Sequence, residues 1–256
     1  MHLGNGALTP ECALLTGAIA TTGLGFAAWQ ARQTLGQPQR WLAAGIYGAA
    51  IFAAQMVNVP LLPYASGHLV GGVLLAAALG PGLGAWAMSC VLLLQAVLLG
   101  DGGLSALGAN IINMALLPAM FVGLGQQAFA TSQPPRTLSL RLGTVAALAV
   151  LSAAGLIVLE VAMFRTDLAA LPAFAGEMLG AHLVIGLAEG VLTAAIVLAA
   201  SGDLLPSNQR SFALRTALAS GVAVLLLVTA ESITSDLPDG YEASAERSHF
   251  TQLLAE

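Results

Sequence analysis

Long apolar runs alternate with short polar breaks along nearly the whole chain. A membrane-spanning helix needs about 20 mostly apolar residues, and such runs can be located between charged residues and Pro or Gly breaks. About eight are present, approximately at 12–31, 42–58, 68–80, 83–99, 105–126, 142–163, 176–200 and 213–231. The pattern predicts an all-α fold, a polytopic membrane bundle of seven to eight transmembrane helices.

The third and fourth runs are short and meet at Gly-Pro-Gly-Leu-Gly, residues 80–84. This break is typical of a tight turn between two helices rather than of one long tilted helix. Arginine placement favours the hairpin, because cytoplasmic loops of membrane proteins carry the excess of positive residues. With a hairpin and an outer N-terminus, only Arg165 and Arg247 lie outside, and the cytoplasmic connections hold Arg32, Arg40, Arg136, Arg141, Arg210 and Arg215.

Composition narrows the class of protein. Of 256 residues, 57% are hydrophobic and 8% are charged, whereas about a quarter are charged in an ordinary soluble domain. This excludes a water-soluble globular protein, so membrane lipid is the expected surrounding. The charged residues are eight Arg, no Lys and thirteen Asp or Glu, which leaves no basic face for nucleic acid. Cys12 and Cys90 have no CxxC spacing and suggest neither a disulfide framework nor a thiolate metal site.

The first apolar run is expected to remain as a helix that starts outside. A secretory signal carries Lys or Arg before its apolar stretch, whereas the first positive residue here, Arg32, follows it. This topology places most carboxylates towards the outer face, together with all four histidines, His2, His68, His182 and His249. Imidazoles and carboxylates at an outer surface suit the capture of a cation, although acidic loops also follow from the positive-inside bias alone.

His2 offers a compact set of nitrogen donors. The Met1 amine and the His2 amide nitrogen close a five-membered ring on a metal ion, and the amide and imidazole close a six-membered ring. The three donors lie nearly in a plane, and metal coordination can drive the loss of the amide proton. Such a site suits square-planar nickel or copper and low-spin cobalt. His68 is a candidate fourth donor, because the small residues around it let other backbone approach closely.

Several stretches of the sequence resemble the CbiM/NikM family, the substrate-binding S components of energy-coupling-factor (ECF) transporters for cobalt and nickel ions. The resemblance spans most of residues 1–200. It rests on Met1-His2 with Gly6 and Pro10, on 52–58, on 66–69 with Gly71-Gly72, on 100–110, and on 182–186 continuing to Glu189. Pro-Asp-Gly-Tyr-Glu at 238–242 also resembles the Pro-Asp-Gly-Leu-Glu element of such proteins or their small companions. One departure is Leu3-Gly4-Asn5-Gly6, where the family commonly has Ile-Pro-Asp-Gly; it leaves the chelating atoms intact but puts the choice of metal in doubt.

The resemblance implies that the metal is held by the Met1 amine, the His2 amide and imidazole nitrogens and the His68 imidazole. It also implies that two loops pack around this site. One loop connects the second and third helices and the other covers 100–107; their candidate residues are Asn58, Ser66 and Asp101.

A transporter of this kind implies partners and a cargo. The resemblance implies a transmembrane coupling (T) subunit and paired ATPases as partners, and it allows a small accessory membrane protein as a further partner. It implies Co²⁺ or Ni²⁺ as the transported ion and no cofactor. The sequence has no GxxxxGK[ST] motif, so ATP hydrolysis by that route belongs to separate subunits. It also lacks HExxH and a suitable GxSxG, which leaves an intramembrane hydrolase without its chemistry.

Amide side chains inside the apolar runs are further candidates. Polar groups in membrane helices usually find an interhelical partner, so Gln95, Asn110 and Asn113 are expected to form structural hydrogen bonds, with metal contact as the alternative. Asn110 and Asn113 are one turn apart and share a helix face. That face is a candidate lining for the space beneath the ion.

Three acidic residues and a histidine complete the set of candidates within the runs. His182 and Glu189 are two turns apart and also share a face. This pair indicates either an ion pathway or a hydrogen bond between helices. Glu160 and Glu231 lie near helix ends and are expected to reach the membrane interface.

The second predicted helix carries Gly45, Ala49 and Ala53 at four-residue spacing. A stripe of small residues allows close helix contact. The stripe is interpreted either as packing within this chain or as the contact with the coupling subunit.

These observations lead to one functional hypothesis and two rivals. We expect residues 1–232 to form a transmembrane metal-binding domain and 233–256 an extracytoplasmic acidic tail. The protein would be a multi-pass subunit of the bacterial inner membrane that captures Co²⁺ or Ni²⁺ at the outer face for ATP-driven uptake, for cobalamin synthesis or nickel enzymes. The rivals are an S component or facilitator for an organic micronutrient, which would need an aromatic pocket, and a structural subunit that binds no substrate.

Overall fold

The computed structural model describes residues 1–125, 134–200 and 234–254, which are mostly helical. The helices are α1 (Pro10–Ala31), α2 (Pro38–Gln55), α3 (Gly72–Leu79), α4 (Pro81–Leu94), α5 (Leu107–Ile111), α6 (Leu117–Leu124), α7 (Pro135–Ala162), α8 (Leu171–Ala200) and α9 (Gly240–Arg247). The π-helical turns Gln95–Leu99 and Ile112–Leu116 extend α4 and join α5 to α6. Strands β1 (Val59–Leu62) and β2 (Ala65–Gly67) form one antiparallel hairpin.

Five helical segments of the described part are long and apolar enough to cross a membrane. They are Pro10–Thr34, Pro81–Leu99, Leu107–Leu124, Pro135–Ala162 and Leu171–Ala200. The predicted all-α membrane bundle is therefore confirmed, with the β1–β2 hairpin as an unpredicted addition. The eighth predicted helix, 213–231, Glu231 and the proposed boundary at 232/233 lie outside the described residues.

The chain turns sharply between α3 and α4, as the Gly-Pro-Gly-Leu-Gly sequence predicts. Gly80 has a φ of +85°, which only glycine adopts without strain. A Cβ at Gly84 would lie 2.6 Å from the Cα of Ala76, so the two helices touch backbone to backbone. The Arg40 guanidinium donates to the carbonyl of Leu79 at the same turn.

Helices α7 and α8 cross where two glycines face each other. A Cβ at Gly143 would lie 2.5 Å from the Gly190 carbonyl oxygen, and one at Gly190 would lie 2.7 Å from the Gly143 oxygen. Small residues at a helix crossing let membrane helices gain van der Waals contact in the absence of a hydrophobic driving force. The crossing fixes α8, which carries His182 and Glu189.

The predicted small-residue stripe on α2 does not form one surface. Gly45 and Ala49 are exposed, whereas Ala53 is completely buried. Steps of four residues advance about 40° beyond a full turn each, because the helix has 3.6 residues per turn. Ala53 is therefore rotated into the bundle, which agrees with the alternative of packing within this chain.

Residues 1–9 precede α1 without regular structure, yet Met1, His2 and Leu3 are buried. They contact the loop at 100–106, the chain around β2 and the segment that leads into α9. The first residues of the chain are thus enclosed by segments from its middle and its far end.

Candidate metal centre

The N-terminal residues are held in place by three hydrogen bonds to the backbone of Leu3. The Leu3 N–H donates to Oδ1 of Asn110 at 2.9 Å, and Nδ2 of Asn110 donates to the Leu3 carbonyl at 3.1 Å. The N–H of Gly103 donates to the same carbonyl at 2.8 Å. A Cβ at Gly103 would lie 2.3 Å from the backbone nitrogen of Asn5, so only glycine permits this approach.

His2 and His68 are brought together. Their rings stack with centroids 5.4 Å apart and planes inclined by 22°, and both line a cavity of about 760 Å³. Nδ1 of His2 lies 3.1 Å from Oδ1 of Asp101, which places the predicted Asp101 directly beside the imidazole. Nε2 of His2 is buried and has no hydrogen-bond partner among the described residues.

The Met1 amine is buried against a carboxylate that the sequence analysis did not single out. It donates to Oδ2 of Asp239, the N-cap residue of α9. Oδ1 of the same carboxylate accepts the N–H groups of Tyr241 and Glu242 at 2.8 and 2.9 Å. The Pro-Asp-Gly-Tyr-Glu match was the available signal, since Asp-x-x-Glu is also a capping-box pattern.

The predicted neighbours Asn58 and Ser66 contact the C-terminal segment rather than the histidines. Oγ of Ser66 donates to the Leu237 carbonyl at 2.7 Å, and its N–H donates to Pro238 at 2.8 Å. The Asn58 N–H donates to Oγ1 of Thr234 at 2.9 Å, and Asn58 also lines the cavity.

Glu189 holds the loop that carries His68. Its two carboxylate oxygens accept the N–H groups of Val70 and Gly71, each at 2.9 Å. Nε2 of Gln55 donates to the Val70 carbonyl at 2.7 Å, and Nε2 of Gln95 donates to Oε1 of Gln55 at 2.8 Å. The expected structural role of Gln95 is thus realised as a link in this chain of bonds.

His182 does not pair with Glu189. Its Nδ1 lies 2.8 Å from the Met178 carbonyl oxygen of its own helix, and its ring packs at Gly240, where a Cβ would lie 2.8 Å from Cε1 of His182. The shared face of His182 and Glu189 therefore serves two separate contacts.

Asn113 and Glu160 form a buried pair in the bundle. Nδ2 of Asn113 donates to Oε2 of Glu160 at 2.8 Å, and Glu160 is only 4% exposed. The expectation that Glu160 reaches the interface is wrong, because an amide partner on the neighbouring helix satisfies the carboxylate inside. Asn110 and Asn113 consequently bind different groups, and only Asn110 contacts the N-terminal segment.

The electrostatics favour a neutral imidazole beside two carboxylates. Burial, followed by the charges of the terminal amine and His2, lowers the pKa of His68 to about 4. Burial alone would raise the pKa of Asp101, but its hydrogen bond and charge interaction with His2 lower it overall. The Met1 amine likewise outweighs burial at Asp239 and holds the pKa of that carboxyl below its usual range.

The arrangement depends on main-chain nitrogens as well as side chains. Within 1–125, 134–200 and 234–254, no group of three or more His, Cys, Asp or Glu is placed to hold a metal ion by side chains alone. Two imidazoles nevertheless line one cavity, and the buried terminal amine is bonded to Asp239, which lines the same cavity. Nitrogen donors of this type suit nickel, cobalt and copper.

The bundle and this nitrogen-rich end define a multi-pass membrane protein with a candidate transition-metal centre. The model of the CbiM family, described as the cobalt uptake substrate-specific transmembrane region, matches residues 2–202. The chain belongs to this family, which confirms the resemblance seen in the sequence and makes the protein a member of a cobalt and nickel transport family.

Relatives and solved structures agree with this assignment. A protein of Haloquadratum walsbyi, provisionally named a metal transport protein, is 34% identical over 214 residues, or 80% of this chain and 93% of that protein. The fused nickel transport protein NikMN of Rhodobacter capsulatus is 30% identical over 213 residues, 77% of this chain and 60% of its own length. The cobalt transport protein CbiM of Propionibacterium freudenreichii is 32% identical over 126 residues, 49% of this chain and 53% of its length.

Two solved structures share the fold. The crystal structure of a transition metal transporter has a TM-score of 0.66 and 28% sequence identity, and covers 84% of this chain and 100% of that chain. A truncated transition metal transporter has a TM-score of 0.66 and 29% identity, and covers 77% and 96%.

Proposed function

We propose that this chain is the substrate-specific subunit of an ECF-type importer, which captures Co²⁺ or Ni²⁺ at the outer face of the membrane. The observation that carries the proposal is the burial of the Met1 amine beside the stacked rings of His2 and His68. Chain termini are usually exposed and poorly ordered, so a terminus enclosed next to two imidazoles is better suited to ligand binding than to packing.

Each proposed donor has an accessible lone pair or can gain one. Nδ1 of His68 lies 3.1 Å from the Leu69 carbonyl oxygen, which favours the tautomer with its proton on Nδ1 and leaves Nε2 for the metal. His2 would bind through Nδ1, which requires that atom to exchange Asp101 for the ion. The Met1 amine and the His2 amide would each release one proton on binding.

Energy for uptake would come from other subunits. The sequence has no GxxxxGK[ST] motif, which supports ATP hydrolysis by separate, paired ATPases that a T subunit would couple to this chain. Exposed Gly45 and Ala49 on α2 remain candidates for the contact with that subunit.

The cavity lining favours a cation over an organic micronutrient. Among the described residues that line it, Tyr241 is the one Phe, Trp or Tyr, and four carboxylate residues are present, namely Asp101, Asp239, Glu242 and Glu246. Organic ligands are bound mainly by apolar and aromatic walls, whereas carboxylates attract a divalent ion before the nitrogen donors bind it.

Metal binding to the purified full chain tests the proposal. Equilibrium dialysis against Ni²⁺ and Co²⁺ should give one ion per wild-type chain and none at the same concentration for His2→Ala, His68→Ala or a form with one Gly added ahead of Met1. His249→Asn is the matched control, because His249 is exposed and its φ of +57° is tolerated by Asn. Retained binding in the extended form would contradict the terminal-amine chelate.

A further inference from the structure

The two ends of the chain meet at one carboxylate. Oδ2 of Asp239 accepts a hydrogen bond from the amine of Met1, which lies 238 positions earlier in the sequence. The amine and the carboxylate are both largely buried. We propose that Asp239 is a positioning residue of the metal centre, which holds the Met1 amine at the cavity and stays hydrogen-bonded to it after the ion binds. This inference rests on the proposed function.

The carboxylate of Asp239 is held in place from its own side. Oδ1 accepts the N–H groups of Tyr241 and Glu242, while Oε2 of Glu242 accepts the Asp239 N–H at 3.2 Å. This reciprocal capping box fixes the side-chain torsions of Asp239. Oδ2 is therefore directed at the amine by the start of α9 rather than by the amine alone.

The same segment is tied to the strand that leads into His68. Ser66 bonds to the carbonyls of Leu237 and Pro238 and forms a parallel bridge with Asp239. Because Ser66 is two positions before His68, residues 237–239 hold both the amine and the approach to the second imidazole. The C-terminal segment thus sets the distance between the Met1 amine and the His68 imidazole.

The neighbouring residues of Pro-Asp-Gly-Tyr-Glu explain why α9 sits there. A Cβ at Gly240 would lie 2.5 Å from Cδ1 of Ile185, so glycine is needed for close contact with α8. The Tyr241 hydroxyl donates to the Leu253 carbonyl at 2.9 Å, and its ring meets Phe174 edge to face. These contacts dock α9 on α8 and make Asp239 part of a rigid support.

The contact is chemically compatible with a bound ion. A protonated amine has three N–H donors, and a metal-bound amine still has two, so Oδ2 can accept one of them in either state. The chelate of a divalent ion with one deprotonated amide carries a single positive charge, which the Asp239 carboxylate offsets. Outer carboxylates of this kind orient the metal-binding groups and raise metal affinity.

Asp239→Asn separates the two roles of this residue. Asparagine is as good an N-cap as aspartate, so α9 keeps its start while the charge beside the amine is lost. Asp236→Asn is the matched control, because Asp236 is an exposed carboxylate of the same segment that does not line the cavity. Asp239→Ser, which also retains a capping oxygen, serves if the Asn variant does not fold.

Nickel affinity and the visible spectrum of the bound ion test the inference on the full-length protein. We expect Asp239→Asn to weaken Ni²⁺ binding by about 10-fold or more, in the range of about 10–100-fold typical of outer partners of metal ligands. The absorption band of the planar site should keep its wavelength, because the nitrogen donors are unchanged. Asp236→Asn should bind Ni²⁺ within about twofold of wild type, well below that range.

The outcomes separate this inference from the proposed function. Wild-type affinity in Asp239→Asn, or an equal loss in Asp236→Asn, would overturn the positioning role while leaving the chelate intact. If the wild-type protein did not bind Ni²⁺, or bound it without the absorption band of a planar site, the proposed function would be overturned, and the positioning role with it.

Discussion

The side chain of Asn110 replaces a missing strand partner for the first residues of the chain. It donates to and accepts from the backbone of Leu3, so a single amide satisfies both polar groups of a buried residue. Neither group can reach water, because Leu3 is completely buried. The position of His2 relative to His68 therefore depends on a residue that would not itself touch the ion.

Replacing Asn110 with Ala should weaken metal binding through the N-terminal segment. The change leaves the Leu3 N–H without a partner and weakens the bonding of its carbonyl, and an unsatisfied buried group costs about 1–3 kcal/mol. We expect a lower melting temperature for the metal-free protein and a weaker affinity for Ni²⁺. Gln37→Ala is the control, because Gln37 is exposed, its amide donates to the Gln33 carbonyl and it does not line the cavity; equal effects of the two changes would argue against the anchoring role.

At the scale of elements, the stretch between β2 and α3 has no regular structure of its own. Its order comes from Glu189 of α8, which accepts two consecutive N–H groups, and from Gln55 of α2. His68 is thus positioned by two helices that are distant in sequence. A shift of α8 would be transmitted to the imidazole through the Glu189 carboxylate.

Graded changes at Glu189 should loosen this stretch to different degrees. In Glu189→Gln one N–H faces an amide nitrogen instead of an oxygen, and in Glu189→Ala both N–H groups lose their acceptor, each at a cost of about 1–3 kcal/mol. We predict that melting temperature and Ni²⁺ affinity fall in the order wild type, Gln, Ala. Glu11→Gln, at an exposed first turn, should leave both quantities unchanged. The absence of a graded decline would show that the stretch is ordered by other contacts.

The apolar runs predicted a helical membrane bundle, since burial in lipid demands long uninterrupted runs. The turn at Gly80 was also predictable, because the Pro and Gly residues specify it locally. The β1–β2 hairpin was not, since four- and three-residue strands leave too short a pattern. Glu160 was misplaced because its partner Asn113 is on another helix, and pairing between helices is not written in either local sequence.

The candidate site was predictable only in part for the same reason. His2 and His68 could be named from their donor chemistry and family resemblance, and the structure brings their rings together. Asp239 was missed because its role requires a contact between the two ends of the chain. No local pattern specifies such a contact, although the capping motif around Asp239 marked the residue as structured.

At the scale of the whole molecule, the bundle contacts lipid and, in the proposed importer, would also contact a metal ion and a coupling subunit. The candidate metal centre lies among the N-terminal segment, the loop at 100–106 and the C-terminal segment. Small exposed residues on α2 are separate from it, because Gly45 and Ala49 do not line the cavity. A Cβ at Gly45 would meet no atom within 4 Å, so its lack of a side chain serves no packing within the described part of the chain.

This separation predicts that assembly can be lost without loss of metal capture. The double variant Gly45→Leu with Ala49→Leu adds bulk to an exposed helix face. Lipid tolerates this bulk, but a closely packed partner helix does not. We expect the double variant to bind Ni²⁺ with wild-type affinity in detergent, and to fail both in co-purification with the T subunit and in ATP-driven uptake by cells. Thr144→Leu is the control for added bulk on a different lipid-facing surface. Thr144 is exposed on α7, and its hydroxyl donates to the carbonyl of Leu140 one turn earlier. Wild-type uptake by the double variant would exclude this face of α2 as the coupling contact, whereas loss of metal binding would mean that the face supports the metal centre from within the bundle.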